Sequence, residues 1–278
     1  MQNNQDSQTQ RKPRKAVYLL PNLFTTAGLF AGFYAIILAI NGRFTAAAIA
    51  VIIAMFLDGI DGRVARMTNT QSEFGAQYDS LADLLSFGLA PALIMYEWSL
   101  ASMVDLGWQW ARFGWLAAFF YTAMAAMRLA RFNIQTGVID KRYFLGLASP
   151  SAATLMVSFV WVFDDMGLKG NDNMLWLPSF VLTILAAILM VLPVLYTSFK
   201  GVGGSERDRI PFLGISVVVL MFVLVAIDPP KVFFIVFVGY ALSGPVQWLV
   251  RRIRQKRRRE QPQATSPTGG GMDSSDQE

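Results

Sequence analysis

Residues 58–83 read DGIDGRVARMTNTQSEFGAQYDSLAD and join two apolar stretches, 44–62 and 80–98, through a polar turn. Asp58 and Asp61 are three positions apart and Asp79 and Asp83 four, so each pair shares one helix face, about one turn apart. Two helices meeting at their polar ends would bring all four carboxylates to one point. Four negative charges at close range need cations to neutralise them, and hard oxygen donors select Mg²⁺, Mn²⁺ or Ca²⁺. The stretch therefore predicts a helical pair in a membrane bundle with a divalent-cation site at its polar end.

Outward from this pair the chain is apolar almost throughout: 54% of residues are hydrophobic and 15% charged. Eight stretches approach or reach the ~20 apolar residues a helix needs to cross a bilayer: 19–40, 44–62, 80–98, 110–130, 147–165, 174–198, 210–227 and 231–250. The breaks between them are polar or helix-breaking, such as Asn41-Gly42-Arg43 and Asp228-Pro229-Pro230. The expectation is an all-α, polytopic helical bundle of about eight spans.

With both tails on one side, that side receives Arg11, Lys12, Arg14, Lys15, Arg63, Arg66, Arg128, Arg131, Lys141, Arg142, Lys200, Arg207, Arg209 and the run Arg251–Arg259. The other side keeps Arg43, Arg112, Lys169 and Lys231. The positive-inside rule makes the first side, with the carboxylates and both termini, cytoplasmic. A polar tail precedes the first span, so no cleavable signal peptide is expected. The expected division is a tail at 1–15, a membrane domain at 16–250 and a basic, then disordered, tail at 251–278, whose composition cannot bury a core. RRIRQKRRR at 251–259 reads as an anchor on anionic lipid rather than a nucleic-acid site.

The chain has no histidine and no cysteine. Imidazole bases, thiol nucleophiles, disulfides and thiolate or imidazole zinc sites are therefore excluded. Proton transfer must use carboxylate, Lys, Tyr or water.

The pattern Asp58-x2-Asp61-Gly62-x2-Ala65-Arg66-x8-Gly75-x3-Asp79-x3-Asp83 resembles, without gap or substitution, the signature of the CDP-alcohol phosphatidyltransferase family. Leu20–Thr25, Tyr78–Ala92, Arg128–Asn133 and Lys141–Pro150 are similar to its bacterial and archaeal phosphatidylserine synthase branch. The resemblance covers the first five spans. It implies a six-helix catalytic core, with the final two spans as an addition, and a homodimer.

It also implies chemistry: transfer of a phosphatidyl group from CDP-diacylglycerol to an alcohol at the cytoplasmic end of the bundle, releasing CMP. In the family pattern Asp58, Asp61 and Asp79 hold one divalent cation, Mg²⁺ or Mn²⁺, and Asp79 and Asp83 a second. Asn22, Thr25 and Ser72 fall at the cytidine end. Gly62 and Gly75 let the nucleotide and neighbouring helix approach the backbone, beside Ala65, and Arg66 suits the phosphates as a permanent two-pronged donor. The same glycines also suit helix packing, and Asn22 and Thr25 suit capping of the first span. Asp83 is the expected general base, on the resemblance and on the lack of histidine and cysteine.

The acceptor is read from the far end of the fourth span. Serine is a zwitterion, so its pocket needs a cation for the carboxylate; Arg128, Arg131, Asn133, Lys141 and Arg142 crowd there, and Ser86 lies one turn past Asp83. The resemblance selects L-serine. Those basic residues would also suit glycerol 3-phosphate or inositol phosphate, and choline is a further alternative. A transporter would instead place ionisable groups near the bilayer midplane, whereas here they gather at one interface.

Overall fold

The computed structural model describes residues 19–68, 72–135, 143–170, 175–197 and 212–260. Lys141 and Arg142 lie outside them, as do 1–18 and 261–278 of the expected tails. Each of the eight apolar stretches contains a helix among its described residues. In chain order these are α1 (Leu19–Ile40), α2 (Phe44–Met67), α3 (Glu73–Asp83), α4 (Ala90–Trp98), α5 (Trp108–Gln135), α6 (Ser149–Asp165), α7 (Trp176–Val191), α8 (Phe212–Ile227) and α9 (Pro229–Glu260). The third stretch is longer than its sequence suggests. A π turn at Leu84–Leu89 joins α3 to α4 and a 3₁₀ turn at Leu100–Leu106 extends them, giving one rod, Glu73–Leu106. Asp79 and Asp83 therefore sit inside a helix rather than at the mouth of one.

Among the described residues five stretches are long and apolar enough to cross a membrane: Asn22–Ile40, Phe44–Met67, Glu73–Leu106, Trp108–Ile134 and Pro229–Val250. α6, α7 and α8 have 17, 16 and 16 residues. At ~1.5 Å per residue they reach about 24–26 Å, short of the ~30 Å hydrocarbon layer. α7 stops at Val191 instead of running to 198, because the chain turns at Leu192–Val194 into a strand. That strand, β2 (Leu195–Thr197), pairs antiparallel with β1 (Tyr143–Leu145), Phe144 facing Tyr196. Among the described residues this small ribbon is the departure from an otherwise all-α bundle. Gly146 follows β1 at φ +81°, and a Cβ there would lie 2.2 Å from the Met190 carbonyl oxygen, so the close approach of the ribbon to α7 requires glycine.

α6 is the centre of the bundle: residues 152–160 are all buried, as expected of a helix apolar on every side. α1 and α2 pack through small residues, with Ala35, Ala47, Ala48 and Ala54 buried, so their backbones approach closely. Large apolar side chains such as Phe30, Phe56, Phe119 and Leu185 point outward, where lipid can solvate them. At the end opposite the carboxylates, the Asp164 carboxylate accepts from Thr45 N (3.1 Å) and Thr45 Oγ1 (2.6 Å), satisfying donors of the first turn of α2.

The π turn is held from two sides. Widening a helix frees carbonyls from their usual partners, and buried carbonyls need donors. Tyr121 Oη, on α5, donates to the Phe87 carbonyl (3.1 Å), and Thr122 Oγ1 to the Gly88 carbonyl (3.4 Å). On the α1 side, Ser86 Oγ donates to the Gly28 carbonyl (3.2 Å), and a Cβ on Gly32 would lie 2.4 Å from that hydroxyl.

Candidate active site

The last turns of α2 carry Asp58 and Asp61, and α3 carries Asp79 and Asp83. α3 starts where its sequence directs: Ser72 is extended and accepts from Gly75 N (3.0 Å) as an N-cap. The returning helix then packs along α1, and the rod it opens meets α2 from the π turn onward. Carboxylate oxygens of Asp58, Asp61 and Asp79 come within 4.8 Å of one another. Oxygen ligands of one divalent ion, each ~2.0–2.6 Å from it, lie about 3–5 Å apart, so this donor set fits Mg²⁺, Mn²⁺ or Ca²⁺. Asp83, one turn further along α3, is hydrogen-bonded to Asp58. Thr25 Oγ1 donates to Asp61 Oδ2 (2.8 Å) in a pair that is 6% and 5% exposed, so α1 fixes that carboxylate. Thr26 Oγ1 and Tyr78 Oη share a further hydrogen bond (3.0 Å) between α1 and α3.

Beside the carboxylates opens a cleft of about 300 Å³, lined by Asn22, Thr25, Asp61, Gly62, Ala65, Arg66, Ser72, Gly75, Ala76 and Asp79. All seven residues expected at the nucleotide end stand on its wall. The two glycines differ. A Cβ on Gly62 meets nothing within 4 Å, so its bare backbone borders open space. A Cβ on Gly75 would press on Ser72 Oγ at 3.1 Å and lie 3.6 Å from Asn22 Oδ1, so this glycine also lets α3 and α1 close together.

The residues expected at the acceptor end separate. Arg128 is largely buried; its Nη1 donates to Ser149 Oγ (2.6 Å) at the start of α6, and it lies within electrostatic reach of Asp83. Arg131, one turn on, turns away and donates to the Val191 carbonyl (3.3 Å), capping the C-terminus of α7. Asn133 exchanges hydrogen bonds with Ser80 on α3 (3.0 and 3.3 Å), tying α5 beside Asp79. Ser86 is buried next to Asp83 with its hydroxyl on α1. Arg142 lies outside the described residues. Ser149, Tyr121 and Tyr240 gather around Arg128, and sequence reasoning named none of them as site residues. A signal existed for Ser149, which sits in the quoted Lys141–Pro150 stretch; none existed for Tyr240, which is on the last helix.

The sequence profile of the CDP-alcohol phosphatidyltransferase family matches residues 18–249, reaching into α9 and so taking in the helices expected as an addition. A Helicobacter pylori protein named CDP-diacylglycerol–serine O-phosphatidyltransferase is 37% identical over 244 residues, 87% of this chain and 96% of its own. A Mycobacterium tuberculosis protein of the same name is 34% identical over 177 residues, covering 62% of this chain and 59% of its own. An archaetidylserine synthase of Methanothermobacter thermautotrophicus is 32% identical over 188 residues, 67% of this chain and 72% of its own. With its apolar helices and its carboxylate-lined cleft, this chain is an integral membrane protein and belongs to the CDP-alcohol phosphatidyltransferase family.

Proposed function

We propose that the chain transfers the phosphatidyl group of CDP-diacylglycerol to the hydroxyl of L-serine, giving phosphatidylserine and CMP. The observation that carries this reading is the position of the four carboxylates, between a polar cleft on one side and a buried guanidinium on the other. The donor's acyl chains stay in lipid while its nucleotide enters the cleft. There Arg66 meets the phosphates, Asn22, Thr25 and Ser72 face the cytidine, and Gly62 and Ala65 leave room for it. Two divalent cations, Mg²⁺ or Mn²⁺, held by Asp58, Asp61 and Asp79 and by Asp79 and Asp83, would neutralise charge that grows on the attacked phosphoryl group and on departing CMP.

Asp83 stands between the phosphoryl position and Arg128. It takes the proton from the serine hydroxyl as that oxygen bonds to phosphorus, and the phosphorus–oxygen bond to CMP breaks in the same displacement. Arg128 holds the serine carboxylate, orienting the hydroxyl toward Asp83. Thr25 keeps Asp61 in place through its 2.8 Å hydrogen bond.

The basic residues Arg63, Arg66, Arg128 and Arg131 at the carboxylate end, against Arg43, Arg112 and Lys169 at the other, support a cytoplasmic active site. Cytoplasmic termini and a homodimeric working unit complete the reading, the latter on the family resemblance; cross-linking in native membranes reads it.

The deciding experiment offers purified protein CDP-diacylglycerol with labelled serine, glycerol 3-phosphate, inositol phosphate or choline. Labelled phosphatidylserine and CMP in equal amounts are expected. Transfer to another of these acceptors at a higher rate would overturn the serine assignment.

A further inference from the structure

Ser is among the preferred helix caps and Pro suits the first helical position, so Ser149-Pro150 has the form of a cap followed by a helix start. The structure uses the serine otherwise. Ala148 takes the cap position without a side-chain hydrogen bond, and Ser149, fully buried, is the first residue of α6. Its hydroxyl oxygen accepts from Arg128 Nη1 at 2.6 Å, joining α6 to α5.

The place of Ser149 is set from α7. Leu147 N donates to the Leu189 carbonyl and Gly146 N to the Val194 carbonyl, both at 2.9 Å, so the chain entering α6 is pinned to the end of α7. Arg131 donates to the Val191 carbonyl in the same region. The two arginines of α5 therefore grip segments that are anchored to each other, and the Ser149 hydroxyl is a fixed acceptor.

A guanidinium is a rigid plane with five N–H donors. Nη1 is the terminal nitrogen outside the side-on fork, which Nε and Nη2 present to a carboxylate. Ser149 thus takes the end that the fork does not use. With the aliphatic stem rooted on α5, that one bond fixes where the fork points. Arg128 Nε is buried without a hydrogen-bond partner, and a buried charged donor in that state is costly unless a ligand completes it.

We infer that Ser149 is a positioning residue for the acceptor: through its bond to Nη1 it holds the Arg128 guanidinium with the Nε side turned to the acceptor carboxylate. The ligand class is a small amino acid with a free α-carboxylate. Ser149 touches no substrate and acts through Arg128. This inference rests on the serine reading above and adds a residue to it.

The test uses the full chain in lipid nanodiscs, with serine and with serinol, which lacks the carboxylate. Ser149→Ala should raise the serine KM about tenfold, the size expected for one hydrogen bond to a charged group, with kcat within about twofold. Serinol turnover and the KM for CDP-diacylglycerol should stay within about twofold on the same scale. Ser149→Cys nearly keeps the volume but is a weak acceptor, so it should repeat the result without opening a void. A double-mutant cycle separates positioning from packing. In an Arg128→Ala background, Ser149→Ala should change the serine KM by less than about twofold, because the residue it acts through is gone. Ser158→Ala is the control: it removes another buried hydroxyl of α6, one bonded to the Leu155 carbonyl (3.1 Å), and should leave the serine-to-serinol ratio unchanged. Four results overturn the inference while leaving the serine reading intact: an unchanged serine KM in both Ser149 variants, an equal loss with serinol, an undiminished effect in the Arg128→Ala background, or an equal fall of the ratio in Ser158→Ala. Failure of the parent protein to use serine overturns both.

Discussion

The cleft proposed for the donor and the Arg128 region proposed for the acceptor flank the same four carboxylates and are built in opposite ways. The cleft is made by three consecutive helices, its lining residues all falling between Asn22 and Asp79, and it is open. Around Arg128, on α5, the neighbours Asp83, Ser149 and Tyr240 come from the α3–α4 rod, α6 and α9, and the guanidinium Nε is buried without a hydrogen-bond partner. A local, open site suits a large donor that arrives from the membrane surface, and its recognition can be carried by one short motif. A buried guanidinium assembled from distant segments suits a small acceptor selected by charge pairing away from water, where such pairing is strongest.

That contrast breaks most severely at the carboxylates the two regions share. Asp83→Asn should cut kcat by ~10²–10⁴, the range for a lost general base, with CDP-diacylglycerol binding nearly intact. Rapid-quench turnover beside a donor-binding isotherm reads both. Chelation should abolish turnover and Mg²⁺ or Mn²⁺ restore it, and activity surviving EDTA would remove cations from the reading.

One step down, the two arginines should separate the regions kinetically. Arg66→Ala should raise the donor KM and Arg128→Ala the serine KM, each about 10–100-fold for the loss of hydrogen bonds to a charged group. If both variants moved the same constant, the two regions would be one site.

Thr25→Val removes the hydrogen bond to Asp61 without changing side-chain shape much. It should lower kcat/KM about tenfold, for one hydrogen bond to a carboxylate, and weaken Mn²⁺ binding measured by paramagnetic resonance.

The glycines give the smallest effect and the finest discrimination. Gly62→Ala places its methyl in open space, so thermal stability should hold while the donor KM rises a few-fold. Gly75→Ala pushes on Ser72 at 3.1 Å and should lower the melting temperature as well. Helix-packing roles for both glycines would make the two variants melt alike.

The unequal legibility of the two regions follows from the same contrast. Asp58, Asp61, Gly62, Arg66, Gly75 and Asp79 converge because one helical hairpin forces them to, and helical spacing is visible in sequence. Arg128 and Arg131 looked equivalent on the page, one turn apart on the same span. Only the place where α7 ends decided that Arg131 would cap it and Arg128 would face Asp83. Tyr240 carried no local signal, because its position depends on the Tyr196 ring filling the space left by Gly244. The β1–β2 ribbon was hidden for a similar reason: each strand is three residues long, and a pairing across about fifty positions leaves no period-2 pattern to read.

The wide turn at Leu84–Leu89 has a consequence for the phase of the rod that contains it. In an unbroken α-helix Asp83 and Ile94, eleven positions apart, would point within about 20° of each other around the axis. A π turn takes up one extra residue, so the rotation between them falls short by about 100°, and the carboxylate stripe and the core-packing stripe of Ile94 and Trp98 are set independently. The rod works as two dials on one shaft. Removing a single residue from the turn would leave every side chain of the site in the protein and aim half of them at the wrong neighbours.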